Sequence, residues 1–388
     1  MSPTDFRVLS IGGLGSDVTV DFDWATSANN DKQVVYRALL GFDFGGTYTM
    51  NLTNSTFNAG DEGIRLGTSW NQKTPTEPVK GVLHIRDGGT LVVDGSAASR
   101  SGYTSFAMCG LVAGYSCRTK LTSGQMYDGE LNVYSNGEAR VMYGDVGVGV
   151  GFAKGNVTVD GGTFTFNDHN DPFNKRYNYI DRTCGIGIFG GEGMFTVKNG
   201  ATFSALPNVF VGGTTTNRYP VQGNNFQAGT STYNNHLPAD HSATGTLVVA
   251  DAEATLKQNL VLGMDGFGIV RREGSQGTFS VGNLVCTNIV DAAYTGSRLD
   301  FVFDANGVGS LDVTNAVSIF GNAKVNVDMS AYAGKKRSFK LIGCKAHSGE
   351  FDEVTVTGVN LPNCNPIVEW TPKGLYLKMG VGMVMSFR

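Results

Sequence analysis

An all-β chain wound as a parallel β-helix and capped at both ends is the fold that this sequence predicts. Three observations predict it. A unit of about twenty residues holding three short strands recurs along the chain, a period typical of β-solenoids. The third strand of the unit keeps one composition, small and apolar residues ending in Gly: IRLG (64–67), LVAG (111–114), GVGVGF (147–152), GIGIFGG (185–191), VFVGG (209–213) and LVLG (260–263). No segment sustains an apolar period of 3.6 residues, so no helix is expected.

Taken in order, residues 1–45 read as an irregular N-terminal cap, because an open end would expose unpaired strand edges. Within it Val18–Phe22 alternates like a strand, and Lys32–Leu40 reads as a short strand or a helical turn. Coils then follow one another over 46–327. The clearest is Gly193–Gly213, GMFTVKNGATFSALPNVFVGG, with strands Met194–Val197, Ala201–Ser204 and Asn208–Val211. Met194 and Thr196 would face one way, Phe195 and Val197 the other. Asn199-Gly200 separates the first two strands, since Asn-Gly accepts the positive φ of a tight change of direction.

The same unit recurs at Gly245–Gly263 with Asp251-Ala252 at the turn, and at Gly129–Gly151 with Asn136-Gly137 there. Gly155–Phe166 supplies two strands whose third is Ile186–Phe189, and Gly81–Gly95 does likewise with Ala107–Gly114. Fainter copies begin at Thr47, Gly277 and Gly309. One unit cannot bury its own apolar face, and a stack of them can. Insertions at 68–79, 115–127, 214–243 and 264–275 leave after the third strand and are expected to line one edge. Two more, 96–106 and 167–184, leave before it and mark a neighbouring corner. Such loops on a rigid scaffold are where binding is expected.

From 328 to 388 the pattern changes to alternating strands joined by Gly, Pro and Asn turns: Ser338–Ile342, Glu353–Val359, Ile367–Trp370 and Leu375–Met379. These read as a C-terminal β cap with Trp370 and Tyr376 as packing residues. The rival fold is a hairpin meander or sandwich, because Asn-Gly between alternating strands is also a hairpin signal. The recurring third strand counts against it, since a hairpin needs no third partner at fixed spacing.

The segments GTLVVADAEATL, GMFTVKNGATF and GNVTVDGGTFTF resemble the β-strand repeats of autotransporter passenger domains. They are also similar to repeats of related large surface proteins of Gram-negative and verrucomicrobial bacteria. The tail, SFKLIGC with SGEFDEVTV and PIVEWTPKGLYLKM, resembles the segment that caps such passengers. Roughly residues 46–380 are covered, by degenerate motifs that specify architecture far better than activity. The resemblance implies a right-handed parallel β-helix (β-solenoid), exported to the cell surface or secreted, and often engaged in adhesion. The start, MSPTDFRVLS, has neither a charged n-region nor an apolar h-region. The expectation is therefore a passenger-like part of an exported protein, or one exported and anchored by another route.

Composition bounds the partners. Gly reaches 54 of 388 residues, with only 10 Pro, and charged residues make up 16%. A hydrophobic content of 41% suffices for a core. Lys plus Arg is 30 against 34 for Asp plus Glu, a formal charge of −4, which lacks the basic footprint of a nucleic-acid binder. Arg271-Arg272 and Lys335-Lys336-Arg337 read as solvated turns. No run of 18 apolar residues exists, so no membrane-spanning helix is expected. The six Cys (109, 117, 184, 286, 344, 364) match no CxxC metal spacing. Two readings stand for them: Cys344 with Cys364, or Cys109 with Cys117, closing a loop, or all six idle thiols.

Candidate chemistry is sparse. Gly185-Ile-Gly187-Ile-Phe-Gly190 spells GxGxxG, but a strand follows where a dinucleotide site needs a helix, so close coil packing explains the glycines. The insertion NDHNDPFNKRYNYIDRT (167–183) holds Asp168, Asp171 and Asp181, the candidates for acid–base work on a polysaccharide. Such carboxylates usually come from successive coils, whereas these share one loop. A solvated loop, or one that binds glycan through Tyr177 and Tyr179, is the plainer reading. In 214–243, Tyr219, Asn225, Phe226 and Tyr233 suit contact with carbohydrate or protein, or packing of the loop onto the coil. His236, Asp240 and His241 are the candidate metal ligands, but Pro238 breaks their spacing and no metal is expected. No cofactor motif is present.

Three functions remain open. The first is a non-catalytic surface or adhesion rod whose loops bind a glycan or protein. The second is a β-helix polysaccharide lyase or glycoside hydrolase, and the third a structural subunit that self-assembles.

Overall fold

A computed structural model of the chain describes residues 8–12, 17–23, 34–42, 45–68, 78–93, 110–116, 127–142, 145–151, 153–166, 183–188, 190–213, 243–264, 266–287, 296–359 and 364–381. Among them there is no helix, and the strands form two sheets. The first sheet has eleven strands, one from each coil: Val18–Asp23, Gly46–Thr53, Val79–Ile85, Tyr127–Tyr134, Ala153–Asp160, Glu192–Lys198, Thr244–Ala250, Phe267–Glu273, Gly296–Val302, Ala323–Asp328 and Glu353–Thr357. Each runs parallel to the next and in register. Ten steps of about 4.8 Å make this face about 48 Å long.

The second sheet carries nineteen strands and bends, so that most coils lend it two. The coil at 192–211 shows the plan: Glu192–Lys198 in the first sheet, then Thr202–Ala205 and Asn208–Val211 in the second. This is a parallel β-helix. Connections between parallel strands wind in the right-handed sense. The hairpin rival is excluded, because every named strand pairing is parallel except two, both made by Gly374–Val381 with Ser338–Gly343 and Cys364–Thr371. Those three strands close one end, with Trp370 stacked on His347 at 4.1 Å.

Alternation decides which side chains face inward. In Glu192–Lys198 the buried positions are Gly193, Phe195 and Val197, and Met194 stands out at 44% exposed. Phe195 meets Phe203 at 4.6 Å and Phe164 at 5.2 Å, so aromatic rings of successive strands interlock along the axis. The turn residues Asn136, Asn199 and Asp251 all take positive φ, at 62°, 58° and 46°.

Two of the third strands differ: Val146–Gly151 and Cys184–Ile188 are buried on both faces, whereas Asn208–Val211 still alternates. A strand covered on both sides reads as a continuous apolar run. Its glycines have a second cause. A Cβ on Gly187 (φ 63°) would lie 2.0 Å from Thr244 O, and one on Gly149 (φ 66°) would lie 2.0 Å from Glu192 O. The corner from third to first strand is therefore backbone against backbone, and GxGxxG here is coil packing.

Two readings need correction. Residues 264–275 are no insertion: Phe267–Glu273 is a full first-sheet strand, so the coils assigned to Gly277 and Gly309 begin one strand earlier. Arg271-Arg272 lies in that strand and is no solvated turn. Arg271 points outward, but Arg272 is 1% exposed. Its guanidinium donates to the carbonyls of Val249 and Glu273, each at 3.3 Å, and to those of Gln276 and Gly277. Burial pushes its pKa down, offset in part by Asp251 and Asp304. It pins the first-to-second corner with charge-assisted bonds where other coils use Asn-Gly. Lys335, Lys336 and Arg337 are exposed, as read. Cys184, Cys286, Cys344 and Cys364 are all free thiols, so no 344–364 bridge forms. Burial pushes the Cys286 thiol up to about 12.

Candidate functional site

Asp168, Asp171, Tyr177, Tyr179 and Asp181 lie outside the described residues, as do Tyr219, Asn225, Phe226, Tyr233, His236, Asp240 and His241. Their points of attachment are described. The first group hangs between Phe166 and Thr183, at the corner from second to third strand. The second hangs between Gly213 and Ala243, at the corner from third to first strand. Segments 69–77, 117–126 and 288–295 are attached at that same corner.

The described residues add a polar cluster on the outer face of the first sheet. Register places Lys80, Asp128, Lys154 and Glu192 in one column of alternating sign. Lys80 Nζ lies 2.6 Å from Glu130 and 3.8 Å from Asp128, and Lys154 lies 3.3 Å from Glu192. Opposite charges on neighbouring strands support the register. Asn132 donates to Glu130 Oε1 at 2.8 Å, and its Nδ2 lies 3.3 Å from His84 Nδ1. An amide nitrogen only donates, so Nδ1 accepts and the neutral ring carries its proton on Nε2. Burial pushes the His84 pKa down, which agrees with that neutral state. Tyr134 Oη, also 3.3 Å from Nδ1, extends the chain to the sheet's end.

The two carboxyls of this cluster are driven apart. Burial holds the Asp128 pKa above its ordinary value. Burial acts the same way on Glu130, but bonds from Lys80 and Asn132 outweigh it and leave the pKa lowered. Opposite displacement of two neighbouring carboxyls is the pattern of an acid–base pair. Here one ammonium, Lys80, serves both, which is also the pattern of a surface ion-pair network.

Beyond Tyr134 the face ends in an open depression of about 390 Å³, lined by Arg86, Asp87, Tyr134, Ser135 and Asp160. It sits where first strands turn into second strands, at the positive-φ residues Asp87, Asn136 and Gly161. Asp160 accepts from Asn199 Nδ2 at 2.6 Å and faces Lys198 at 3.2 Å; the Asn199 bond, more than the ammonium, lowers its pKa. A second depression of about 320 Å³ lies farther along the same face, among Arg271, Asp300, Asn326, Asp328, Thr355 and Thr357.

No family model matches the chain, and no curated protein matches it. Among solved structures it is similar to a crystal structure of a TibC-catalyzed, hyper-glycosylated TibA fragment. Identity is 12%, coverage is 90% of this chain and 98% of that one, and the TM-score is 0.22. A score that low carries no argument about this chain.

Among the described residues no His, Cys, Asp and Glu gather in a group of three able to hold a metal. Nor is any helix there long and apolar enough to cross a membrane. Sequence reasoning missed the outer-face cluster because its members sit on four strands that are far apart in the chain. The signal was available once the coils were aligned: KGVLHI, DGELNVY and KGNVTVD share a charge before the Gly and polar residues at alternate positions. It also missed an asparagine ladder at the bend from second to third strand. Asn259 Nδ2 donates to Asn208 Oδ1 at 2.9 Å, and Asn283 Nδ2 to Asn259 Oδ1 at 2.9 Å. The parallel words NVFV, NLVL and NLVC announce it.

Proposed function

We propose that this chain is an exported, passenger-like surface module: a stiff, non-catalytic rod, closed at one end by the antiparallel strands within 338–381, that binds a glycan or a surface protein. The observation that carries the reading is the eleven-stranded, in-register first sheet, which stacks a continuous core yet keeps a polar outer face. Strands so paired resist bending, and side chains that alternate outward have no packing duty and are free for contact. The resemblance of the repeats to autotransporter passengers supports export and adhesion. Attachment of four segments at one corner supports contact through loops on one edge, with Tyr219, Asn225, Phe226 and Tyr233 on one of them and Tyr177 and Tyr179 on the neighbouring corner.

The test is a pair of deletions, 167–182 and 214–242, each replaced by a short Gly-Ser link. Binding to target cells is expected to fall to background while thermal unfolding of the rod stays unchanged. Full binding by both variants would sink the loop-presentation reading.

A second reading, a lyase or hydrolase on the same fold, is favoured by one arrangement: Asn132 links Glu130, at 2.8 Å, to His84, at 3.3 Å, beside Asp128, whose carboxyl is shifted the opposite way from that of Glu130. It places the acids on this sheet face, and predicts product release that Glu130→Gln abolishes.

A further inference from the structure

Two depressions on one flat face invite comparison, because register relates them. Asp160 lines the first and Asp328 the second. They stand in one column, through Asp160, Lys198, Ala250, Glu273, Val302 and Asp328. Six successive residues make five strand steps, so the two carboxylates are about 24 Å apart along the axis. Both carboxylates are already held in place and kept ionised. Asp160 accepts from Asn199, and Asp328 Oδ1 accepts from the amide and hydroxyl of Ser330, at 2.9 and 2.6 Å. Each therefore presents fixed acceptor capacity to whatever enters the depression.

The chemistry of the two depressions is alike. Each sets aspartates beside cations, Arg86 and Lys198 in the first and Arg271 and Arg298 in the second, so neither sign dominates. A phosphate or a polycation would find half of each site repulsive. A ligand with many hydroxyls finds acceptors in the carboxylates and donors in the guanidinium groups. The first depression also offers the ring of Tyr134, 36% exposed, whose hydroxyl lies 3.3 Å from His84 Nδ1 and whose plane is tilted 33° from the His84 ring, 5.9 Å away. Rings that carry an apolar face and a polar edge suit sites that are half wet.

We infer that this face binds a linear, uncharged oligosaccharide laid along the solenoid axis, one sugar on Tyr134 between Asp87 and Asp160 and a later one at Asp300 and Asp328. The inference rests on the proposed surface-binding function and adds to its loops a second site with a ligand class of its own. The coil spacing of about 4.8 Å is comparable with one sugar ring, so successive sugars meet equivalent positions on successive strands. Between the depressions the column passes Lys198, Ala250 and Glu273, each partly exposed, before it reaches Val302 at the edge of the second.

The experiment is calorimetric titration of the full chain with size-graded glucan, mannan and xylan oligosaccharides, and with oligogalacturonates as the charged control. In at least one neutral series affinity is expected to climb with length until both depressions are spanned, then level off. Tyr134→Ala should weaken the longest ligand about tenfold, while Tyr134→Phe, which keeps the ring, stays within about twofold of the parent. Asp328→Asn should remove the gain with length and leave short ligands unaffected. No neutral binding, affinity flat with length, preference for the charged series, or indifference to these substitutions would each overturn the inference. The variant lacking 167–182 and 214–242 separates the two claims. It should keep oligosaccharide binding, and if it loses that binding while Tyr134→Ala does not, the loops are the site and this face is not.

Discussion

Gly187→Ala is expected to destabilise the rod by about 2–5 kcal/mol, the sum of two separate costs. The first is the left-handed backbone: at φ 63° a residue with a Cβ loses about 1–2 kcal/mol. The second is overpacking, about 1–3 kcal/mol where well-packed atoms must shift. Here the atoms that must shift are backbone: Thr244 O at 2.0 Å and Gly245 N at 2.5 Å from the new methyl. They belong to the first sheet and cannot move without opening a corner of the coil. Gly200→Ala is the control. That residue has φ 76° but nothing within 4 Å of a new methyl, so it should lose only the backbone cost of about 1–2 kcal/mol. Urea unfolding of both variants measures the difference. Equal losses would mean that the corner tolerates a side chain and that the glycines of the third strand serve the turn alone.

Phe203→Ala is the other large effect, with an expected loss of about 3–5 kcal/mol. Phe203 is fully buried and touches rings from two other strands, Phe195 at 4.6 Å and Phe164 at 5.7 Å. Parallel strands on either side hold the backbone in place, so the cavity cannot collapse, and deleted core volume costs most where collapse is blocked. Met194, one residue from Phe195 but facing solvent, should change stability by less than about 0.5 kcal/mol as Met194→Ala. In a solenoid each coil leans only on its neighbours, so the Phe203 loss should appear first as local opening near 160–260, read by hydrogen exchange.

The contrast between these sites shows what was legible in the chain. Alternation told Phe195 from Met194 without any structure, because a strand has only two faces. The Gly-ended third strand was legible too, although its cause, contact between Gly187 and Thr244 O, lies between segments almost sixty residues apart. Phe267–Glu273 was misread because FGIVRRE places two arginines where other coils carry apolar and polar residues in turn. An arginine that turns inward onto four carbonyls looks, in sequence, like one that turns outward. The outer-face cluster was hidden for a related reason. Lys80, His84, Asp128, Glu130 and Asn132 become neighbours only through register, and register follows from where insertions begin and end. Loop chemistry, by contrast, was conspicuous in 167–183 and 214–243 because polar residues crowd there in sequence.

The central claim is that this rod binds without turning its ligand over. Its most direct test incubates the purified chain with an immobilised panel of glycans and host-surface proteins, and with the same glycans in solution for detection of new reducing or unsaturated ends. Retention on one or more panel members with no new ends is the predicted result. Release of shortened products, lost in Glu130→Gln, would contradict it and make the outer-face carboxyls a catalytic pair. Absence of both retention and products would leave a self-assembling structural rod as the account to adopt.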